Sequence, residues 1–260
     1  MRGPACLLGV LACAALAVGC GDDDDSGGGS SDGPTWLVVS AASSMTEALE
    51  KCAPEFGDAE NADVKLSFAG SDELAAQIEQ GVKPDVYAAA NTKLPDQLHQ
   101  EGRLSEPVEF ATNTFVLAVP KDSDIDSVAD LTPKGVKVVI GSKTVPIGSY
   151  TRDSLAKLPP EQEKPILANV RSEEPDVKGI VGKLTQGAAD AGFTYVTDVN
   201  ATNGELKAVD LPKSVEPQVT YAAGVVTGAK QPDAGKQFVN GLVSGRCADA
   251  LQKAGFGPAP

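Results

Sequence analysis

Three stretches rich in serine, glycine or threonine could bind an anion through helix starts. They span residues 40–47, 68–71 and 144–150, and each lies between an apolar run and a segment of helical spacing. Free backbone N–H groups and the positive end of the helix dipole attract anions at such points. Ser44 with Glu47 also matches a capping box, which predicts Ser44 at a helix N-cap. Serines often cap helices, but three converging turns favour an oxyanion pocket.

Residues suited to catalysis or metal binding are few. His99 is the only histidine, so multi-histidine metal sites are excluded and a triad would depend on it alone. It lies in a polar helical segment, where we expect it to be solvated. Glu173, Glu174 and Asp176 could act as acid/base groups or metal ligands, but beside a helix start they more often act as caps. We therefore expect a binding protein and not an enzyme.

The composition narrows the possible partners. The chain has 260 residues, with 36 acidic against 22 basic side chains and a net charge of −14. A surface this acidic repels phosphate backbones, so nucleic-acid binding is not expected. A chain of this length can bury the core of one large domain or of two lobes.

The first 34 residues predict export and tethering. Arg2, an apolar run over 7–18 and small residues near the end form a signal peptide over 1–19. Its ending in Cys20 resembles the lipobox of bacterial lipoproteins, although Ala17 stands where leucine is usual. A plain secreted protein is the alternative. Residues 20–34, with four consecutive aspartates followed by glycines, are expected to form a flexible, lipid-anchored linker.

The remaining chain alternates strand-like and helical patterns. Strands are predicted near 36–40, 64–68, 85–90, 115–119, 136–140, 193–196, 206–209 and 219–227. Helices are predicted between them, with one final helical stretch over 233–253. This alternation predicts an α/β fold with parallel sheets. Ligands of such folds bind at the carboxyl ends of the strands, where helices begin.

Several motifs resemble the periplasmic molybdate-binding proteins of ABC transporters. They are SAASSMTEAL at 40–49, SFAGS at 67–71, LAAQIE at 74–79, PDVYAAA at 84–90, VPIGSY at 145–150, EPDV at 174–177 and AGFTY at 191–195. The resemblance implies a two-lobed type II periplasmic-binding-protein fold, each lobe a mostly parallel sheet flanked by helices. Lobe one would comprise 35–113 and 220–260, and lobe two 114–219. Two strands, near 113–114 and 219–220, would form the hinge.

The same resemblance implies a ligand and its binding residues. Molybdate or tungstate would lie between the lobes without any cofactor, held by the hydroxyls of Ser44, Ser71 and Tyr195 and the backbone N–H groups of Ile147 and Val177. Ser44 and Ser71 would each add a backbone N–H group. Asp72, next to Ser71, would have to point to solvent. The expected partner is an ABC permease, served by a monomer anchored through Cys20 and facing the periplasm or cell exterior. Sulfate, phosphate or a metal ion bound through Tyr195 with carboxylates remain alternative ligands.

The cysteines suggest one disulfide. Cys6 and Cys13 leave with the signal peptide and Cys20 receives the lipid, which leaves Cys52 and Cys247 in an oxidising compartment. The lobe assignment puts both in lobe one, so a Cys52–Cys247 disulfide is predicted. Two separate buried thiols are the alternative.

Overall fold

The computed structural model describes residues 35–260, and this part of the chain forms ten strands and nine α-helices. The strands are β1 (Thr35–Ala42), β2 (Ala62–Ala69), β3 (Val86–Ala89), β4 (Val108–Asn113), β5 (Phe115–Pro120), β6 (Val138–Gly141), β7 (Val170–Glu174), β8 (Ala191–Tyr195), β9 (Leu206–Asp210) and β10 (Val219–Val225). The helices are α1 (Thr46–Glu60), α2 (Ser71–Glu79), α3 (Lys93–Gln100), α4 (Pro146–Leu155), α5 (Pro160–Ala168), α6 (Val177–Thr185), α7 (Val196–Asn200), α8 (Pro232–Val243) and α9 (Arg246–Ala254).

The strands form two five-stranded sheets with the same plan. The first has the order β2-β1-β3-β10-β4 and the second the order β7-β6-β8-β5-β9. In each, the first three strands are parallel to one another, the fourth is antiparallel to both its neighbours and the fifth runs with the first three. The predicted α/β class with two mostly parallel sheets is confirmed.

The reversed strands are the points at which the chain changes sheets. It leaves the first sheet after Asn113 and enters the second with β5 at Phe115. It returns through residues 211–218 and re-enters the first sheet with β10. This strand begins at Val219, which pairs with Asn113. The two sheets are therefore joined by two adjacent connections.

Burial explains the patterns of the first sheet and its helix α1. β1 is a central strand whose Leu37, Val39 and Ala41 are fully buried, whereas the edge strand β2 alternates buried or half-buried residues with exposed ones along much of its length. Helix α1 packs its apolar side, including Leu49 and Phe56, against this core. Such a stripe at helical period holds the start of α1 in a fixed position over the sheet.

The C-terminal segment differs from its prediction as one helical stretch. It forms two helices, α8 and α9, separated at Gly245. The φ angle of Gly245 is 114°, a backbone conformation that favours glycine and ends the helical path. Helix α9 packs beside α1, and a disulfide joins Cys247 of α9 to Cys52 of α1 with their Cα atoms 5.0 Å apart.

The N-terminal predictions fall on residues that the structure does not describe. The signal peptide over 1–19, the lipidated Cys20 and the linker to residue 34 all lie outside the described range. Within residues 35–260, no helix has the length and apolar character needed to cross a bilayer.

Candidate functional site

A small cavity lies where the carboxyl ends of strands from both sheets face each other. From the first sheet it is lined by residues following β1, β2 and β3, and from the second by residues following β6 and β7 and by the end of β8. Its volume is about 10 Å³, which is room for about one water-sized molecule. The lining residues are Ala42, Ser43, Ser44, Ala69, Gly70, Ser71, Ala90, Val145, Pro146, Ile147, Asp176, Val177 and Tyr195. Pockets for organic ligands usually measure about 300–1,000 Å³, so this cavity suits a smaller ligand.

The five ligand residues expected from the sequence all line this one cavity. They are Ser44, Ser71, Ile147, Val177 and Tyr195, and each is at least 96% buried. Two come from the first sheet's side and three from the second's. The structure thus brings together residues up to 151 positions apart in the chain.

Ser44 does not cap α1, so the capping-box prediction is wrong. It lies in a short 3-10 helix, Ser43–Met45, and Met45 precedes α1 without a side-chain cap. The tighter turn brings the Ser44 hydroxyl to 2.9 Å from Tyr221 Oη. Glu47 turns away and pairs with Lys178. Two tertiary contacts have replaced the local one.

Ser71 begins α2, and its hydroxyl oxygen is held by the protein. The backbone N–H of Ala90 donates to Ser71 Oγ at 3.1 Å. The hydroxyl of Tyr87 donates to the Ser71 carbonyl at 2.7 Å. The Ser71 oxygen accepts the hydrogen bond from Ala90, so the proton of the hydroxyl is still available to a ligand in the cavity.

Asp72 does not fully meet the expectation that it faces solvent. Its side chain is half-buried, and Oδ1 is buried without a hydrogen-bond partner. It is nevertheless absent from the cavity wall. A carboxylate on that wall would repel an anion, whereas Asp72 lies behind Gly70, whose added Cβ would meet Asp72 Oδ1 at 2.8 Å.

The second sheet's side presents the starts of α4 and α6. Ile147 follows Pro146 in the first turn of α4, which has no side-chain cap. Gly148 lets the first turn of α4 pack closely against the end of β6, because a Cβ there would collide with the carbonyls of Ser142 and Gly141. Val177 begins α6 after Asp176. The first-turn N–H groups of a helix have no partner within it, so Ile147 and Val177 can donate to a ligand.

The acidic residues near α6 have structural partners. Asp176 caps α6 by accepting from the backbone N–H of Gly179 at 2.9 Å. Glu173 pairs with Arg152 at 2.9 Å, and Glu174 lies 4.0 Å from Lys183. Of the three, Asp176 alone lines the cavity, where the Gly179 N–H partly offsets the charge of its carboxylate. These acids therefore have structural contacts, as caps or in ion pairs, of the kind expected for acids beside a helix start.

Tyr195 ends β8 and presents an unpartnered hydroxyl. Its Oη is buried and has no hydrogen-bond partner. Burial, reinforced by the neighbouring Tyr221, raises the pKa of Tyr195 well above its usual value. The phenol therefore keeps its proton and can donate it. A buried donor without a partner is costly, and a ligand in the cavity would supply the missing acceptor.

An ion-pair cluster beside the cavity joins the two sheets' sides. Lys178 Nζ, from α6, lies 2.7 and 2.8 Å from the two carboxylate oxygens of Glu47 in α1. It also lies 3.1 Å from Oδ1 of the fully buried Asp198. Burial acts to lower the pKa of Lys178, but the two carboxylates outweigh it and raise the pKa. Burial raises the pKa of Asp198 to about 7 against the opposing pull of Lys178.

The two sides also touch through backbone at Gly70. A Cβ added there would lie 2.5 Å from the carbonyl oxygen of Pro175, which belongs to the opposite side. Real Cβ atoms do not approach so closely, so the absence of a side chain lets the cavity close. The φ of Gly70 is −60°, which any residue can adopt. Its role is therefore one of space and not of backbone freedom.

Other residues considered for chemistry lie elsewhere. His99 is exposed on α3, with Nδ1 3.0 Å from the Leu104 carbonyl oxygen. Across residues 35–260, no three His, Cys, Asp or Glu side chains gather in a way that could hold a metal ion. Tyr221, Lys178 and Asp198 are neighbours of the site that were not predicted from the sequence. Ser44 and Tyr221 are 177 positions apart, and no local pattern marks that contact.

Two similar lobes with a small cavity between them define a solute-binding protein of the periplasmic type. Comparison with known protein families gives the same class. The model of the family described as bacterial extracellular solute-binding protein matches residues 37–257, and this chain belongs to that family.

Individual relatives point in the same direction. The chain is 34% identical to the molybdate-binding protein ModA of Mycobacterium bovis over 251 residues, which cover 95% of this chain and 94% of the relative. The solved periplasmic molybdate-binding protein of Azotobacter vinelandii matches with a TM-score of 0.74 at 19% identity, covering 85% of this chain and 98% of the other. The sulfate-binding protein SubI of Mycobacterium tuberculosis matches with a TM-score of 0.75 at 17% identity over 86% and 87% of the two chains. At these identities the two structures establish the fold alone.

Proposed function

We propose that this protein binds a tetrahedral oxyanion, molybdate or tungstate, outside the cytoplasm and delivers it to an ABC permease. The observation that carries the proposal is the small cavity at which hydroxyls and helix starts from both sheets converge. The molybdate-binding relative, similar along nearly the whole chain, supports this choice of ligand.

The proposed ligand set has five donors. Ser44, Ser71 and Tyr195 would donate through hydroxyls, and Ile147 and Val177 through backbone N–H groups. All are neutral groups, so a buried dianion would be stabilised by aimed dipoles instead of by a cation. Lys178 supports this reading, because its ammonium is already engaged by Glu47 and Asp198. Nothing in this set calls for a cofactor.

Ligand binding and closure of the lobes would be one event. We assign 35–113 and 220–260 to lobe one and 114–219 to lobe two, with the connections at Thr114 and before β10 as hinge. Ser44 and Ser71 then belong to lobe one, and the other three donors to lobe two. The Glu47–Lys178 pair and the Gly70–Pro175 approach cross from lobe to lobe and can form only when the lobes close.

The N-terminal sequence supports a tethered carrier. Residues 1–19 would direct export, Cys20 would receive the lipid and residues 20–34 would let the domain reach a permease while held at the membrane. A monomer suffices, because both halves of the site come from one chain. The protein would be a carrier and not an enzyme, since the acids nearest the cavity are occupied by caps and ion pairs.

Sulfate is the second candidate ligand, because the same donors suit any fully deprotonated tetrahedral dianion and a sulfate-binding protein shares the fold. Calorimetric titration of ligand-free protein with molybdate, tungstate, sulfate and phosphate tests the proposal. We expect tight binding of molybdate and tungstate and weaker binding of the smaller sulfate and of phosphate. Sulfate binding that equals or exceeds molybdate binding would overturn the choice of ligand. A ferric-ion titration addresses the metal alternative through Tyr195.

A further inference from the structure

Tyr221 contacts the proposed anion site without lining it. It lies in β10, is fully buried and places Oη 2.9 Å from Ser44 Oγ. The side-chain amide nitrogen of Asn113, the last residue of β4, lies 3.4 Å from the same Tyr221 Oη. The three side chains form a chain of hydrogen bonds from the hinge to the cavity wall.

The direction of these hydrogen bonds follows from Asn113. Its Oδ1 accepts from the backbone N–H of Thr114 at 2.9 Å, and because a backbone N–H can only donate, this contact fixes which end of the amide is oxygen. The Asn113 NH₂ group therefore points to Thr197 Oγ1, at 2.9 Å, and to Tyr221 Oη. An NH₂ group only donates, so Tyr221 Oη accepts from it.

Tyr221 is then left with one proton and one partner for it, the Ser44 oxygen. Burial raises the pKa of Tyr221 above its usual value, so the phenol keeps that proton. Because Ser44 Oγ accepts from Tyr221, the Ser44 proton is free to point into the cavity. An unconstrained serine hydroxyl can rotate and either donate or accept. Here Tyr221 occupies one of the two lone pairs of Ser44 Oγ and leaves the Ser44 proton to the cavity, which favours donation over acceptance.

We infer that Tyr221, oriented by Asn113, is a positioning residue that orients Ser44 towards donating a hydrogen bond and so favours a fully deprotonated oxyanion over one that carries a proton. The inference rests on the proposed function. Ser71 provides an internal comparison, because its oxygen is held by the backbone N–H of Ala90 and does not depend on any tyrosine.

The test is Tyr221→Phe, alone and combined with Ser44→Ala. Calorimetry at a fixed, near-neutral pH measures molybdate affinity, and competition measures the affinity for phosphate, which retains a proton at that pH. Loss of one oriented hydrogen bond should weaken molybdate binding by about five-fold. Phosphate should not be weakened, because the freed Ser44 oxygen can accept its proton. In the Ser44→Ala background, Tyr221→Phe should change molybdate affinity by less than about two-fold.

Tyr87→Phe is the matched control. Tyr87 is also fully buried in the first sheet, but its hydroxyl donates to the backbone carbonyl of Ser71 and touches no serine hydroxyl, so a change there can alter affinity for both anions but not the donor character of Ser44. It should leave the ratio of molybdate to phosphate affinity unchanged. Asn113→Ala is a second variant that keeps the tyrosine in place, and it should lower this ratio because Tyr221 can then accept from Ser44. Melting temperatures of all variants identify any that fold poorly.

Two results would overturn the inference. One is an equal loss of molybdate and phosphate affinity in Tyr221→Phe. The other is an effect of Tyr221→Phe that adds fully to that of Ser44→Ala, since a tyrosine that only packs would act independently of the serine. If either result is found but the wild-type protein binds molybdate, only the role of Tyr221 is wrong and the proposed function stands. Wild-type protein that binds no oxyanion would overturn both.

Discussion

The two halves of the cavity hold their donors in different ways. On the first sheet's side, Ser44 and Ser71 present hydroxyls whose oxygens already accept hydrogen bonds from Tyr221 and Ala90. On the second sheet's side, Ile147 and Val177 offer backbone N–H groups at helix starts, and the Tyr195 hydroxyl has no partner.

This difference shows which groups determine ligand binding in each half. The first half depends on side chains that tertiary hydrogen bonds have oriented before any ligand arrives. The second half depends mainly on helix geometry, which any side chain compatible with the helix would preserve. Substitutions should therefore weaken binding strongly in the first half and, apart from Tyr195, only slightly in the second.

The largest expected effect concerns the stability of the first half. The Cys52–Cys247 disulfide closes a loop with a sequence separation of 195, and both cysteines lie in helices packed on the first sheet. The chain-entropy model assigns about 5 kcal/mol to such a loop. Replacing both cysteines with alanine should lower the free energy of unfolding by up to that amount, measured in urea. Molybdate affinity should stay within about two-fold of wild type. A large loss of affinity in folded protein would show that the disulfide also supports the binding site.

Removing both serine hydroxyls should produce the largest loss of affinity. Each hydrogen bond to a charged group contributes roughly 1.5–3 kcal/mol, so Ser44→Ala with Ser71→Ala should weaken molybdate binding at least about 100-fold by calorimetry. Ser154→Ala is the control, because Ser154 is equally buried in α4 but its hydroxyl has no partner and lies off the cavity wall. Near wild-type affinity in the double variant would remove both serines from the site.

Tyr195→Phe tests the side-chain donor of the second half. It should weaken binding by about 10-fold or more, because one charge-assisted hydrogen bond is lost. The ligand-free protein should be no less stable than wild type in thermal unfolding, since the deleted hydroxyl has no partner in the structure. A loss of stability with unchanged affinity would mean that Tyr195 serves only packing.

Gly70→Ala tests whether the two halves must meet. The added methyl group would press on the Pro175 carbonyl oxygen when the lobes close, while the backbone angle at residue 70 suits alanine. Overpacking costs about 1–3 kcal/mol, so molybdate should bind roughly 5-fold or more weakly. The open, ligand-free form should melt close to wild type, because on its own side of the cavity the methyl group meets only the end of the Asp72 side chain, which can move. Unchanged affinity would show that closure tolerates a side chain at this position.

Ile147→Val should have the smallest effect. The proposed donor is the backbone N–H of residue 147, which this substitution retains, so affinity should change by less than about two-fold. Removal of one buried methylene costs about 0.5–1.5 kcal/mol of stability. A ten-fold affinity loss in calorimetry would show that the side chain itself shapes the cavity.

Several features of this protein follow from its sequence alone. Strand and helix periodicity predicts the α/β class, because each element's apolar face is written into its own residues. The starts of α2, α4 and α6 are recognisable from the serine, proline and aspartate residues at or next to them. The five ligand residues, which the resemblance to molybdate-binding proteins implies, reach the same cavity, since the carboxyl ends of parallel strands meet at one edge of each sheet.

The tertiary structure decided the rest. Ser44 and Glu47 do not form the predicted local capping box. Ser44 contacts Tyr221, 177 positions away, and Glu47 pairs with Lys178, 131 positions away. The division of the last helical stretch at Gly245 depends on a left-handed turn within a continuous helical pattern. Asp72 buries an oxygen that its polarity would leave in water. Local sequence encodes the preferences of neighbouring residues, whereas these outcomes depend on which distant groups the two folded lobes bring into contact.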